Sequence, residues 1–197
     1  MARDRFFEGF REWSDRKLAL LEDYLAKPFT EILGDRPGGV FCVDGFAGRG
    51  EYADGHIGSS VISARLASTF AKDGRYRLQC VNVERNAGHF KNLDEVTSLI
   101  APGLIHNRHG DFSRKVREVE DIVGSSPTLF FLDPYGIRGI EWETLLPIRT
   151  RLATTELLIR LHTPYLHRLA GFVGSSGRSA GGNTARLTAT LGSDEWT

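Results

Sequence analysis

The eleven residues Val40-Phe41-Cys42-Val43-Asp44-Gly45-Phe46-Ala47-Gly48-Arg49-Gly50 constrain this chain more than any other stretch. An unbroken apolar run from Val40 to Val43 is the pattern of a short strand buried on both faces, which is typical of parallel sheets covered by helices. The glycines at 45, 48 and 50 then let the backbone turn sharply and approach a bound group with no Cβ in the way. Turns of this kind lie at the carboxyl edge of a parallel sheet, where open α/β folds bind their ligands. The stretch therefore predicts a cradle for a small adenosine-bearing ligand. A glycine turn that only joins a strand tightly to a helix would read the same at this level.

The spacing of the glycines narrows the ligand. It is G-x-x-G-x-G, whereas the dinucleotide fingerprint is G-x-G-x-x-G, so a pyrophosphate cradle is the poorer match. No G-x-x-x-x-G-K-[ST] occurs, which removes the P-loop. A strand ending Asp-Gly-Phe-Ala-Gly-x-Gly instead resembles the first motif of S-adenosylmethionine-dependent methyltransferases, where the turn accommodates the amino-acid end of the cofactor. The resemblance implies S-adenosyl-L-methionine as cofactor, held by Asp44, Gly45, Phe46, Ala47, Gly48 and Gly50.

At 197 residues the chain can bury about 70% of its unfolded surface in one core, so a single domain is expected. Cys42 and Cys80 both fall inside apolar, strand-like runs, which suits buried reduced thiols and a cytoplasmic location. The N-terminus has mixed charge and no continuous apolar core, and no stretch of eighteen apolar residues follows, so neither secretion nor membrane insertion is expected. The 25 basic and 25 acidic residues balance overall, yet between Thr144 and Ser193 the only acid is Glu156, against Arg149, Arg151, Arg160, Arg168, Arg178 and Arg186. Such a segment suits a nucleic-acid partner, although scattered arginines also serve simply as solvated surface.

Patterning predicts a doubly wound, mostly parallel α/β sheet with helices on both faces. Ser14-Asp15 is expected to cap a leading helix carrying Leu18, Leu21 and Leu25, interrupted at Pro28, so that residues 1–38 form a helical segment packed on an α/β domain of residues 39–197. Strands are expected at Val40–Val43, Leu78–Glu84, Leu104–His106, Thr128–Asp133 and Glu156–Leu161. Helices are expected at Ile57–Lys72, Phe90–Ile100, Phe112–Val123 and Trp142–Arg151. Gly174 to Asn183 reads as a flexible loop, and no sixth or seventh strand is visible, so the domain is expected to lack its C-terminal strands.

The chemistry is expected at strand ends. Glu84 closes the second strand and can accept hydrogen bonds from both hydroxyls of a ribose; the plain alternative is a surface acid. Gly110-Asp111-Phe112 follows the third strand, where Asp111 can accept from an adenine amino group and the Phe112 ring can pack on the base. Asp111 is also a good helix N-cap, and the two roles are compatible. Asp133-Pro134-Tyr135-Gly136 follows the fourth strand, beside the first, and faces the proposed methyl donor. There the Asp133 carboxylate and the Pro134 carbonyl would accept the two N–H groups of an exocyclic amine, while Tyr135 stacks on its ring. Asp-Pro followed by an aromatic and Gly is also ordinary turn chemistry. The spacing from His106 to Asp111 offers H-x-x-H-x-D, but a strand splays those side chains onto different faces, so no metal site is expected. His162 is a weaker candidate for substrate contact, and Lys17 reads as a surface charge on the leading helix that could alternatively touch substrate.

With the glycine turn, Gly58-Ser59, Glu84, Gly110-Asp111-Phe112 and Phe131-Leu132-Asp133-Pro134-Tyr135-Gly136 in order, the chain resembles the three-Cys-motif partner (TcmP) family of methyltransferase-like proteins. Lys17-Leu18 to Tyr24-Leu25 and Gly192-Ser193-Asp194-Glu195-Trp196 share in the likeness, which thus covers nearly the whole chain. Members usually continue past this Trp, which implies that the chain is truncated. The family's turn commonly reads Phe-Ala-Gly-Pro-Gly, followed by Gly-Ser-Pro; Arg49 and Ser60 stand here in place of those prolines. The resemblance implies a class I methyltransferase fold, cofactor contacts from Asp44, Gly45, Gly48, Gly50 and Glu84, an acceptor oriented by Asp133, and a partner protein carrying a three-cysteine motif. It leaves open a cofactor-binding subunit that is catalytically silent. Asp-Pro-Tyr-Gly departs from the D-P-P-[YFW] of amino-methylating DNA enzymes and is closer to the Asp-Pro-Phe-Gly of enzymes acting on a guanine amino group in transfer RNA. Cytosine C5 chemistry is disfavoured because neither cysteine follows a proline.

Overall fold

A computed structural model describes residues 12–171 and 180–195. Five parallel strands form one sheet: β1 (Val40–Asp44), β2 (Leu78–Glu84), β3 (Ile105–His109), β4 (Thr128–Leu132) and β5 (Thr155–Ile159), in the spatial order β3-β2-β1-β4-β5. The chain winds from β1 outward to β3, then crosses to the other side of β1 for β4 and β5. Strand order therefore reverses between β1 and β4, and the crevice beyond their carboxyl ends is the expected ligand position of such a sheet.

Alternation along the strands assembles two cores. Phe41 and Val43 of β1, Val81 and Val83 of β2, and Phe130 and Leu132 of β4 bury one face under α4 (Phe112–Val123) and α5 (Trp142–Arg149). Val40, Cys42, Leu78, Cys80, Leu129 and Phe131 bury the other face. That face is covered by α1 (Glu12–Tyr24), the π-helical segment Leu25–Glu31 that continues it, α2 (Ser59–Asp73) and α3 (Ala87–Ile100). Leu21, Leu25 and Phe29 are fully buried in this second core. At about 1.5–3 kcal/mol of burial for each such side chain, the leading segment is a structural part of the α/β domain. The register sets Cys42 beside Cys80, both as free thiols.

Several elements differ from expectation. α1 is helical from Glu12, the first described residue, so Ser14 and Asp15 lie within it rather than ahead of it as its start. Pro28 sits inside the π-helical segment, where wider winding accommodates its missing N–H. β3 runs on to His109 because Asn107 satisfies its polar side chain internally: it accepts from Asn82 Nδ2 at 2.9 Å and donates to Asp94 and Thr97 at 2.8 and 3.0 Å. After β5 the chain forms α6 (Thr163–Ala170) and α7 (Ala180–Leu191), which meet through Leu169 and Leu187 around Ile137. The expected loop from Gly174 is thus helical over its last positions, 180–183, while residues 172–179 lie outside the described residues. No strand follows β5 among the described residues, and none of their helices is long and apolar enough to cross a membrane.

Candidate functional site

β1 delivers Asp44 to the switch point with only 2% of its surface exposed. Its Oδ1 accepts from the Phe46 amide at 3.1 Å and its Oδ2 from the Ser59 hydroxyl at 2.5 Å, so one carboxyl group ties the start of the glycine turn to the start of α2. Burial pushes this carboxyl up to about 6; the two hydrogen bonds oppose the rise, as does nearby Lys17, while Asp133 adds to it.

The turn itself is fixed at several points. Gly45 N–H donates to Phe131 O of β4 at 3.1 Å, Ala47 N–H to Val83 O of β2 at 3.0 Å, and Gly58 N–H to Gly50 O at 2.6 Å. Gly45 must be glycine for lack of space, since a Cβ there would stand 2.6 Å from Leu132 Cδ2 and 3.0 Å from Phe112 Cδ2. Gly48 and Gly50 must be glycine for conformation, with φ of +66° and +81°. Asn92 of α3 donates to Arg49 O at 2.7 Å and holds the centre of the turn.

Asp133, the residue after β4, lies beside this assembly. Its Oδ1 accepts from Arg160 Nη1 at 3.0 Å and its Oδ2 is ion-paired to Lys17 Nζ of α1. Lys17 is therefore no surface charge: with its side chain 22% exposed against 13% for Asp133, it ties the leading helix to the proposed reaction centre. Pro134 is buried, whereas Tyr135 is 81% exposed, as a stacking platform for an incoming ring would be. Gly139, in the same loop, has φ of +88° and lies against the Phe46 ring, so the loop after β4 rests on the glycine turn.

Glu84, at the end of β2, is half-buried, and its Oε1 accepts from the Asn86 amide at 2.5 Å. Phe112 is a floor of the site: it is 2% exposed, with its ring 5.8 Å from that of Phe46, and it offers no open face for a base. Asp111 occupies the N-cap position of α4 but makes no side-chain cap bond; its Oδ1 instead lies 3.5 Å from Arg85 Nη1. His162 caps α6, its Nδ1 accepting from the Tyr165 amide at 3.1 Å. His106 packs near Phe41 and His109 near Phe90, on opposite faces of β3, and no cluster of metal-ligating side chains occurs among the described residues.

Two members of the site escaped the sequence reading. Tyr52 follows the glycine turn in a short bridged loop, and its phenol is held above the usual range first by burial and then by the Asp133 and Asp44 carboxylates. Arg160 is the other: the sequence placed it inside the fifth strand and among the arginines of a cationic segment, whereas β5 ends at Ile159 and Arg160 turns to Asp133. Of the other arginines of the cationic segment, Arg178 lies outside the described residues, and three of the rest are engaged by separate partners. Arg151 binds Ser126 O and Thr128 at the amino end of β4, Arg149 lies over the Trp142 ring at 4.8 Å, and Arg168 over Tyr165 at 5.1 Å.

No protein-family model matches this chain, and no curated protein matches it. Among solved structures, a match is the glucose-6-phosphate 1-dehydrogenase of Mycobacterium avium, 16% identical, with a TM-score of 0.39, over 77% of this chain and 34% of that one.

Proposed function

We propose that this chain binds S-adenosylmethionine in the crevice between the carboxyl ends of β1 and β4 and transfers its methyl group to an exocyclic amine of a nucleic-acid base. The observation that carries the reading is the convergence of the glycine turn, Asp44 and the Asp133 loop at the strand-order reversal, with Glu84 one strand away. The donor set suits such a cofactor. The turn presents backbone N–H groups to an amino-acid end, and Glu84 Oε2 has no hydrogen bond among the described residues to keep it from a ribose diol.

When bound, S-adenosylmethionine supplies a methyl group on a sulfonium centre, ready for in-line attack. The chain's own task is then to aim a weak nucleophile. An aromatic amine spreads its lone pair into the ring; N–H acceptors at Asp133 and the Pro134 carbonyl localise that pair on nitrogen, and Tyr135 holds the ring by stacking worth about 1–3 kcal/mol. The Asp133 carboxylate has about four acceptor positions, of which Arg160 and Lys17 take two, so room remains for an amine.

That same pairing favours a second reading. An acid already neutralised by two cations also suits a cofactor-binding subunit that does no chemistry and assembles with a three-Cys-motif protein. Calorimetric titration with S-adenosylmethionine, followed by transfer of labelled methyl to transfer RNA and DNA, separates the readings. Binding with transfer that falls at least a hundredfold in Asp133→Asn supports the enzyme. Binding with no transfer to any acceptor supports the subunit, and absence of binding refutes both.

A further inference from the structure

The small core that joins α6 and α7 to the loop after Asp133 is bordered by charges that the proposed chemistry leaves unused. Ile137 of that loop packs there with Leu169 of α6 and Leu187 of α7. Each of the three has an exposed arginine next to it in the chain: Arg138, Arg168 and Arg186. Burial of the three apolar neighbours therefore gathers three cations around one small core. Among the described residues no acid pairs with any of these guanidinium groups, whereas Arg85, Arg108 and Arg160 each have a carboxylate partner. No acid occurs in residues 134–140 or 160–193. The two acids that flank the loop are already engaged, Asp133 by Lys17 and Arg160 and Glu141 by the Gly139 amide at 2.8 Å. Cations gathered without counter-charge repel one another and concentrate anions nearby.

An aromatic ring ties this cluster to the reaction centre. Tyr165 of α6 stands against Gly136, three residues after Asp133, where φ is +98°. Its ring carries the Arg168 guanidinium at 5.1 Å. A guanidinium laid over a ring keeps donors for a phosphate and offers its own plane to a base.

We propose that Arg138, Arg168 and Arg186, with the Tyr165 ring, form a docking surface for a single-stranded nucleic acid and grip the phosphates beside the nucleotide presented to Asp133. The proposal deepens the base-methylating reading above and rests on it. A single strand fits because an amine inside a duplex is out of reach, and because an unpaired base leaves its faces open to stacking.

Fluorescence anisotropy with labelled RNA and DNA strands of about 12 nucleotides, long enough for several phosphate contacts, tests the surface. The proteins are wild type, the triple variant Arg138→Gln, Arg168→Gln, Arg186→Gln, and a control triple variant Arg65→Gln, Arg75→Gln, Arg114→Gln with the same change in net charge. At about 0.7 counterions released per phosphate contact, the first variant should lose about a hundredfold in affinity near 0.1 M salt, with a salt slope smaller by about 2. The control should lose less than about threefold, and equal melting temperatures of all three proteins show that they are folded. Equal losses in the two variants overturn the surface and leave the base-methylating reading standing. A duplex of the same sequence that binds as tightly as the single strand overturns the single-strand assignment. Failure of wild type to bind either strand, while S-adenosylhomocysteine binds in a calorimetric titration, overturns both the surface and the nucleic-acid acceptor and leaves the cofactor reading.

Discussion

Asp44→Asn should stabilise this protein at neutral pH, although it removes a buried acid with two hydrogen bonds. The Asp44 carboxyl has 2% of its surface exposed, and burial pushes it from 3.8 up to about 6. Because the folded value lies above the unfolded one, the stability contributed by this group is fully present below 3.8 and is lost as pH rises through about 6. The gap corresponds to about 3 kcal/mol in all, of which about 2 kcal/mol falls between about pH 4.5 and about pH 7.5. Asparagine keeps the geometry without the charge: its Oδ1 can accept from the Phe46 amide, and its Nδ2 can donate to a Ser59 hydroxyl that reverses its role. Urea unfolding of both proteins at the two pH values gives the difference directly, and other titrating groups cancel. The stability of the variant relative to wild type should grow by about 2 kcal/mol at the higher pH. A difference that does not change with pH, or a variant clearly less stable at about pH 7.5, would mean that Ser59 and Phe46 hold the ionised carboxylate more strongly than burial opposes it.

Gly45→Ala forces a Cβ to within 2.6 Å of Leu132, and overpacking of this kind should cost about 1–3 kcal/mol, seen as a melting temperature lower by several degrees; an unchanged melt would show that the turn yields freely. Tyr24→Phe removes the bond from the Tyr24 hydroxyl to the Glu156 carboxylate and should destabilise by about 1 kcal/mol in denaturant unfolding, with no loss if solvent fully replaces it. Glu84→Gln should weaken S-adenosylhomocysteine about tenfold in a calorimetric titration, and equal affinity would remove Glu84 from any contact with the sugar.

The sheet was legible because strands buried on both faces leave a plain apolar signature: Leu78–Glu84 carries the predicted boundaries, as does the amphipathic helix Phe112–Val123, and the order of strands and helices follows from their alternation. β3 was read short because its inward groups are asparagine and histidine, satisfied only by partners on β2 and α3. Local pattern favoured a loop over residues 174–183, where glycine and serine disguise the start of α7. The strand-end acids of the site were legible for the same topological reason as the sheet. Their partners were not, since Lys17, Arg160 and Tyr52 reach Asp133 and Asp44 from elements far apart in sequence, and single-residue spacing does not encode such meetings. Phe112 shows the opposite error: its position after β3 suggested contact with a base, but the tight approach of Gly45 requires its ring as packing.

The two ties of α1, Lys17 to Asp133 and Tyr24 to Glu156, span 116 and 132 residues. On a ribosome, this helix therefore emerges long before its anchors are made, and Leu21, with Leu25 just beyond the helix, must wait uncovered while the middle of the sheet is still being translated. The nascent chain passes through a stage that is sticky and has no assembled crevice. Its yield in a cell should depend on chaperone supply more than the stability of the finished molecule would suggest.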